Sequence, residues 1–199
     1  MLTPDAQAVV AAQAQARDYL RAKGTLVPVP LLRERIAASF TALDAFLTQV
    51  DAAEAAQTTI PGEWSVQEIV DHLVETHRPG LDELRCLLAG RRPPGEPIPA
   101  GLQSRAPLLR PWPWLLRELR QVHGDILATL EAVAPDHDTE ARAPLVMVVN
   151  VKAPDGSSVP AHWVEDLDWK AYAIVWRLHV VDHLNQAKKV LARSLPSPP

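Results

Sequence analysis

The sequence predicts an all-α protein: a four-helix bundle with an extra N-terminal helix and an irregular insertion before the last helix. Apolar residues recur at three- and four-residue steps through successive segments, the period of helices that each bury one face. The 19 prolines cluster between those segments, where proline ends one helix before the next begins. Ser65 and Glu68 form an S-x-x-E pair just ahead of an apolar run, the signature of a helix entrance. The implied organisation is an N-terminal helix and linker over residues 1–30 and the bundle over residues 31–195.

The first segment, Asp5 to Lys23, is rich in Ala and Gln and reads as a helix ended by Gly24. Val27-Pro28-Val29-Pro30 then calls for an extended link, because a residue before proline avoids helical geometry. The second segment, Leu31 to Ala56, sets Leu32, Ile36, Phe40, Leu43, Leu47 and Val50 on one face. The third opens at the capping box, with Trp64 and Ile69 as the flanking hydrophobic staple, and runs to about Gly90 with a kink expected at Pro79. Arg91 to Arg110, dense in Pro and Gly, reads as loop. Pro111 to Val133 is the fourth helical segment. Between Ala134 and Asp168, Val146–Val149 has strand character and Asp155-Gly156 a turn signal, so a small hairpin and a loop laid over the bundle are both open. The last helix runs from Trp169 to about Ala192, with Asp168 as N-cap.

Composition narrows the function classes. With 47% hydrophobic and 22% charged residues the chain can fill a core. Its net charge of -4 and the absence of a basic stripe argue against a nucleic-acid partner, and Arg91-Arg92 is too short to reverse that. The single cysteine, Cys86, excludes an intrachain disulfide and the four-sulfur zinc motifs; its apolar neighbours lead one to expect a small buried hydrophobe. The N-terminal stretch carries Asp5 where a signal peptide would carry positive charge, and no run approaches the ~18 apolar residues of a membrane span. The expectation is a soluble, cytoplasmic protein without a membrane partner.

Seven histidines remain to be explained. His179 and His183 stand at i, i+4 on the last helix, so their rings share a face about one turn apart, in line with Trp169, Tyr172, Trp176 and Ala187. Two imidazoles in an inward stripe need partners, because an unpaired buried polar group costs free energy. His72, two turns into the capped helix, lies at the edge of its apolar face beside Ile69 and Thr76. His77 points about 140° away from it and is not expected to share a ligand with it. His123, His137 and His162 have no evident partner. Asp71 and Asp182 adjoin histidines but diverge from them by about 100° and are expected in solvent, whereas for Gln186 two readings are open, a hydrogen bond to a bound water or a ligand imidazole and a plain surface residue. Most of Trp112, Trp114, Trp163, Trp169 and Trp176 should be core, with room for one or two to line a pocket. Taken alone, the H-x-x-x-H spacing does not separate metal ligation from hydrogen-bonded histidines.

The string Glu63-Trp64-Ser65-Val66-Gln67-Glu68-Ile69-Val70-Asp71-His72-Leu73 resembles the start of the second bundle helix in the DinB/YfiT-like family. His179-Val180-Val181-Asp182-His183-Leu184-Asn185-Gln186 resembles that family's C-terminal H-x-x-x-H-x-x-Q. The resemblance extends from about Leu31 to Leu195 and leaves the N-terminal helix as an addition. It implies that His72, His179 and His183 bind one divalent metal at one end of the bundle. Three imidazoles leave positions for water or substrate, and nickel, zinc, iron and manganese all accept them. By the same resemblance the protein would act on a small-molecule substrate, as a metal-dependent transferase or hydrolase using a low-molecular-weight thiol of the bacillithiol or mycothiol type. No general base is identifiable. A non-catalytic metal- or ligand-binding stress protein is the alternative. A helical interaction module is the second alternative, since Ile174, Leu178 and Val181 form another apolar stripe that suits a homodimer.

Overall fold

The computed structural model describes residues 5–153 and 155–192. Six helices and one β-hairpin are found among them. Helices α1 (Ala6–Leu20), α2 (Val29–Leu47) and α3 (Ala52–Ala56) precede α4 (Val66–Leu88) and α5 (Trp112–Glu131); strands β1 (Ala143–Lys152) and β2 (Ser158–Leu167) then lead into α6 (Trp169–Ala192). Residues 193–195, to which the family resemblance reaches, lie outside the described residues, as do residues 1–4 of the N-terminal segment.

Four of these helices make the bundle. α2 packs on α5 and α6, and α4 packs on the same two, so the helices close a ring around one core. All six apolar positions read on the second segment are buried, Leu32 and Ile36 completely. The segment is nevertheless two helices. Asp51 accepts from the backbone N–H groups of Ala53 and Glu54, while Glu54 accepts from the N–H of Asp51. This capping box restarts the chain as α3 after a break at Thr48–Val50. Val50 itself stays in the core, and its carbonyl accepts from the buried indole of Trp112 at 3.0 Å.

The N-terminal boundary also differs from expectation. α2 starts at Val29 and takes Pro30 into its first turn, where a missing N–H leaves no helical bond unmade. The extended link is therefore shorter than the proline pattern suggests. Gly24 does not end a helix by left-handed geometry; it sits buried in a wide π-type turn, Arg21–Thr25, pressed on α6. A Cβ there would lie 2.8 Å from Ile174 Cγ2 and 2.9 Å from Ala171 Cα. Ile174, one member of the second apolar stripe, is thus covered from within the chain, while Leu178 and Val181 are half-buried.

The insertion before α6 is the hairpin. β1 and β2 pair antiparallel from Ala143↔Leu167 to Lys152↔Ser158, with Val146 opposite Val164. The positive φ of Gly156 explains glycine in the turn. The Arg17 guanidinium on α1 bridges to the Glu165 carboxylate on β2 at 2.9 Å, tying the N-terminal helix to the hairpin. Asp168 caps α6 as expected, accepting from the N–H groups of Lys170 and Ala171. Its other oxygen accepts from Thr25 Oγ1 at 2.6 Å, which anchors the Gly24 turn to the same helix start. α4 runs through Pro79 as one helix. Cys86 is half-buried rather than sealed in the core.

Candidate metal centre

The frame of α4 is set at its entrance. Ser65 and Glu68 make the reciprocal capping bonds, with Ser65 N donating to Glu68 Oε2 at 2.7 Å and Glu68 N to Ser65 Oγ at 3.2 Å. Two turns on, His72 is almost wholly buried. The loop that follows α4 folds back over it, and three consecutive residues hold that loop down. Leu102 offers its carbonyl to His72 Nδ1 at 2.7 Å, Gln103 Nε2 donates to the Glu68 carbonyl, and Ser104 donates N–H and O–H to Asp71, both at 2.8 Å. Asp71 is therefore not solvated: it is fully buried and also paired with Arg110 at 3.0 Å. Asp182, by contrast, is exposed.

On α6, His179 and His183 face His72. The Nε2 atoms of His72 and His183 lie 2.9 and 3.0 Å from His179 Nε2, and one nitrogen from each of the three rings falls within 4.8 Å of the others. Each ring has a partner on its outer nitrogen. His72 Nδ1 meets the Leu102 carbonyl, His183 Nδ1 meets Gln186 Oε1 at 2.8 Å, and His179 Nδ1 meets His77 Nε2 at 3.1 Å. A carbonyl can only accept, so His72 carries its proton on Nδ1 and directs the Nε2 lone pair inward. With the Gln186 amide oxygen on His183, the same holds there.

Burial governs the charge of the group. It pulls His72 down to about 4, with His183 adding to the effect, and it moves His179 and His183 in the same direction, His179 well below the ordinary 6.5. The three rings are neutral in the neutral pH range and available as ligands. Trp64, read from sequence as a staple residue, also packs beside the cluster, its ring centroid 4.9 Å from His72 and 6.1 Å from His183.

His77 remains outside this trio, in keeping with its angle on the helix, but it is not idle. Its Nδ1 lies 3.1 Å from His123 Nε2, and His123 stacks on Phe40 at 3.6 Å between ring centroids. The expectation that His123 lacks a partner is thus overturned: α5 and α2 bring two further rings into line behind the site. No spacing on α5 announces this, since the partner is on another helix. His137 packs edge-on against Trp169, and His162 is exposed on β2; neither approaches the cluster.

A cavity of about 90 Å³ adjoins the histidines. His72, His77 and His179 form part of its wall, Tyr172 and Trp176 another part, and Leu145 and Val146 of the hairpin close over it. No charged side chain lines it among the described residues. The Tyr172 hydroxyl donates to Glu83 Oε2 at 2.5 Å; burial raises both groups above their ordinary values.

Fold and site together define a helical bundle that converges three neutral imidazoles beside a small apolar cavity. The DinB superfamily model matches residues 35–165, about two thirds of the chain, and the chain belongs to that superfamily. Among solved structures it is similar to YfiT from Bacillus subtilis, described as "a probable metal-dependent hydrolase with an unusual four-helix bundle topology". That similarity has a TM-score of 0.58 and 16% identity, over 87% of this chain and 98% of the other. TT2238, a four-helix bundle protein, aligns with a TM-score of 0.47 and 17% identity over 81% and 98% of the two chains. No curated protein sequence matches the chain.

Proposed function

We propose that this protein is a metal-dependent hydrolase or thiol-using transferase whose His72, His179 and His183 hold one divalent ion. The observation that carries the reading is the direction of the lone pairs. The Leu102 carbonyl and the Gln186 amide oxygen take the Nδ1 protons of His72 and His183, leaving two bare Nε2 atoms about hydrogen-bond distance from the third ring. Lone pairs held together by outer acceptors suit a cation, and the three nitrogens, within 4.8 Å of one another, would be the groups that hold it. A divalent ion on three neutral imidazoles supplies Lewis-acid polarisation and an open position for water, thiol or substrate.

The chain's own residues supply the surroundings. Trp64 covers one side of the cluster and Leu145 and Val146 the cavity, which limits water around a bound small molecule. The uncharged lining favours a neutral, largely apolar substrate group over a phosphate or a free carboxylate. Tyr172, held by Glu83, gives that wall a polar contact. The description of YfiT as a hydrolase supports the same class, and the family resemblance supports the thiol variant.

The test is elemental analysis of the purified chain and of His183→Ala. One equivalent of divalent metal is expected in the first and none in the second, with both helical by circular dichroism. Equal metal content in the two proteins would refute the site. Metal-bearing protein is then offered neutral esters and amides in one arm, and a low-molecular-weight thiol with an alkylating electrophile in the other; turnover assigns hydrolase or transferase, and silence in both leaves a binding protein.

A further inference from the structure

We infer that His77 and His123 are positioning residues, a two-ring relay that accepts the His179 proton at Nδ1 and so lets His179 ligate through Nε2. The inference rests on the metal reading above and extends it to residues which that reading does not use. Of the three rings, two have their tautomer set by oxygen acceptors. His179 alone is backed by another imidazole, whose facing nitrogen can either donate or accept. On its inner side His179 Nε2 meets the bare Nε2 atoms of His72 and His183 and donates to them when no ion is bound, so an ion can be taken up only if the His179 proton moves to Nδ1 and His77 accepts it.

Coordination through Nε2 requires the His179 proton on Nδ1. His77 Nε2, 3.1 Å away, must then accept, which moves the His77 proton to its own Nδ1. That N–H points at His123 Nε2, again at 3.1 Å, so His123 must accept in turn and carry its proton on Nδ1. The three rings therefore change tautomer together. The residues that build this line are drawn from every bundle helix: His179 from α6, His77 from α4, His123 from α5, and Phe40 from α2 as the plate on which His123 stacks with an interplanar angle of 7°. His77 is 1% exposed and His123 7%, so water does not readily replace either partner. Helical packing alone gives no reason for two polar rings at these core positions, where Leu or Phe would serve without the need for partners. Outer partners that fix ligand histidines raise metal affinity, and their loss typically weakens it by about 10–100-fold.

The experiment uses zinc alone as the probe, on the full chain stripped with a chelator and reloaded. Affinity is measured by competition with a chromophoric chelator for wild type, His77→Phe, His77→Gln and His123→Phe. His77→Phe, which keeps a ring but removes the acceptor, should bind zinc about 10–100-fold more weakly. His77→Gln, whose amide can accept from His179 and donate to His123, should recover most of that loss. His123→Phe should fall between them. A structural role alone would not produce rescue by Gln over Phe. Long-range nitrogen–proton spectra of the zinc-loaded wild type need no variant to fold: His179, His77 and His123 should all carry their protons on Nδ1. Unchanged affinity in folded His77→Phe, or a His77 proton on Nε2, would overturn the relay while the metal reading stood. If the purified wild type holds no divalent ion and the stripped chain takes up no zinc, the metal reading fails and the relay falls with it.

Discussion

The residue beside the first histidine offers a quantitative test of how the site is supported. Asp71 is fully buried and binds Ser104 twice and Arg110 once. Replacing it with Ala leaves the N–H and O–H of Ser104 without partners and takes one of two carboxylates from Arg110. Removing one member of a buried ion pair costs about 3–5 kcal/mol. Arg110 keeps Glu75 at 2.6 Å and is 28% exposed, so water offsets part of its loss. The expected cost is therefore near the low end, about 3 kcal/mol. For a chain of this length that lowers Tm by roughly 6–12 °C. Ser104→Ala removes only one of the bonds and should cost about 1 kcal/mol. Both are measured by thermal and urea unfolding with chelator present, so that metal linkage does not enter. Because Ser104 pins the loop that presents the Leu102 carbonyl, zinc affinity should fall in Asp71→Ala as well, by about 10-fold or more. An Asp71→Ala protein no less stable than Ser104→Ala would refute this role for Asp71.

Two further outcomes are expected. Burial lowers His72 to about 4 and His123 to about 3 from the ordinary 6.5, so below 6.5 the unfolded chain binds more protons than the folded one. The metal-stripped protein should hold its full stability above pH 6.5 and lose it progressively as the pH falls toward 4 and 3; urea midpoints that match at pH 7.5 and 5.0 would contradict this. Gly24→Ala puts a methyl against the backbone of α6 and should cost about 1–3 kcal/mol, read as a lower Tm and faster proteolysis within α1; an unchanged Tm would mean that the turn yields freely.

Much of this architecture was legible because it depends on neighbours in sequence. The Ser65–Glu68 box, the Asp168 cap and the buried face of α2 each involve residues within a few turns, and all three stand in the structure as the sequence implies. The Asp51–Glu54 box was equally local, yet the apolar period runs on from Leu47 to Val50 past the end of α2, and the period hid the break. The hairpin could not be separated from a loop, since its strands pair with each other and touch the bundle at only a few positions. Asp71 departs from expectation for a different reason: helix angle says where a side chain leaves the helix, and an external loop closes over that direction.

His77 marks the limit of angular reasoning in a more instructive way. At five residues from His72 it points about 140° away, and it stands apart from the cluster of His72, His179 and His183. But an imidazole has nitrogens on two sides. His179, entering between the two from α6, presents Nε2 to His72 and Nδ1 to His77, so residues on divergent faces of α4 serve one ring. The divergence is what the arrangement requires: if His77 shared the face of His72, it would compete for the inner position and leave His179 without support behind. The same holds for His123, whose partner is chosen by the packing of α4 on α5. Spacing within a helix and resemblance single out which histidines meet, whereas the groups behind them come from whichever helix the bundle brings to the far side of each ring.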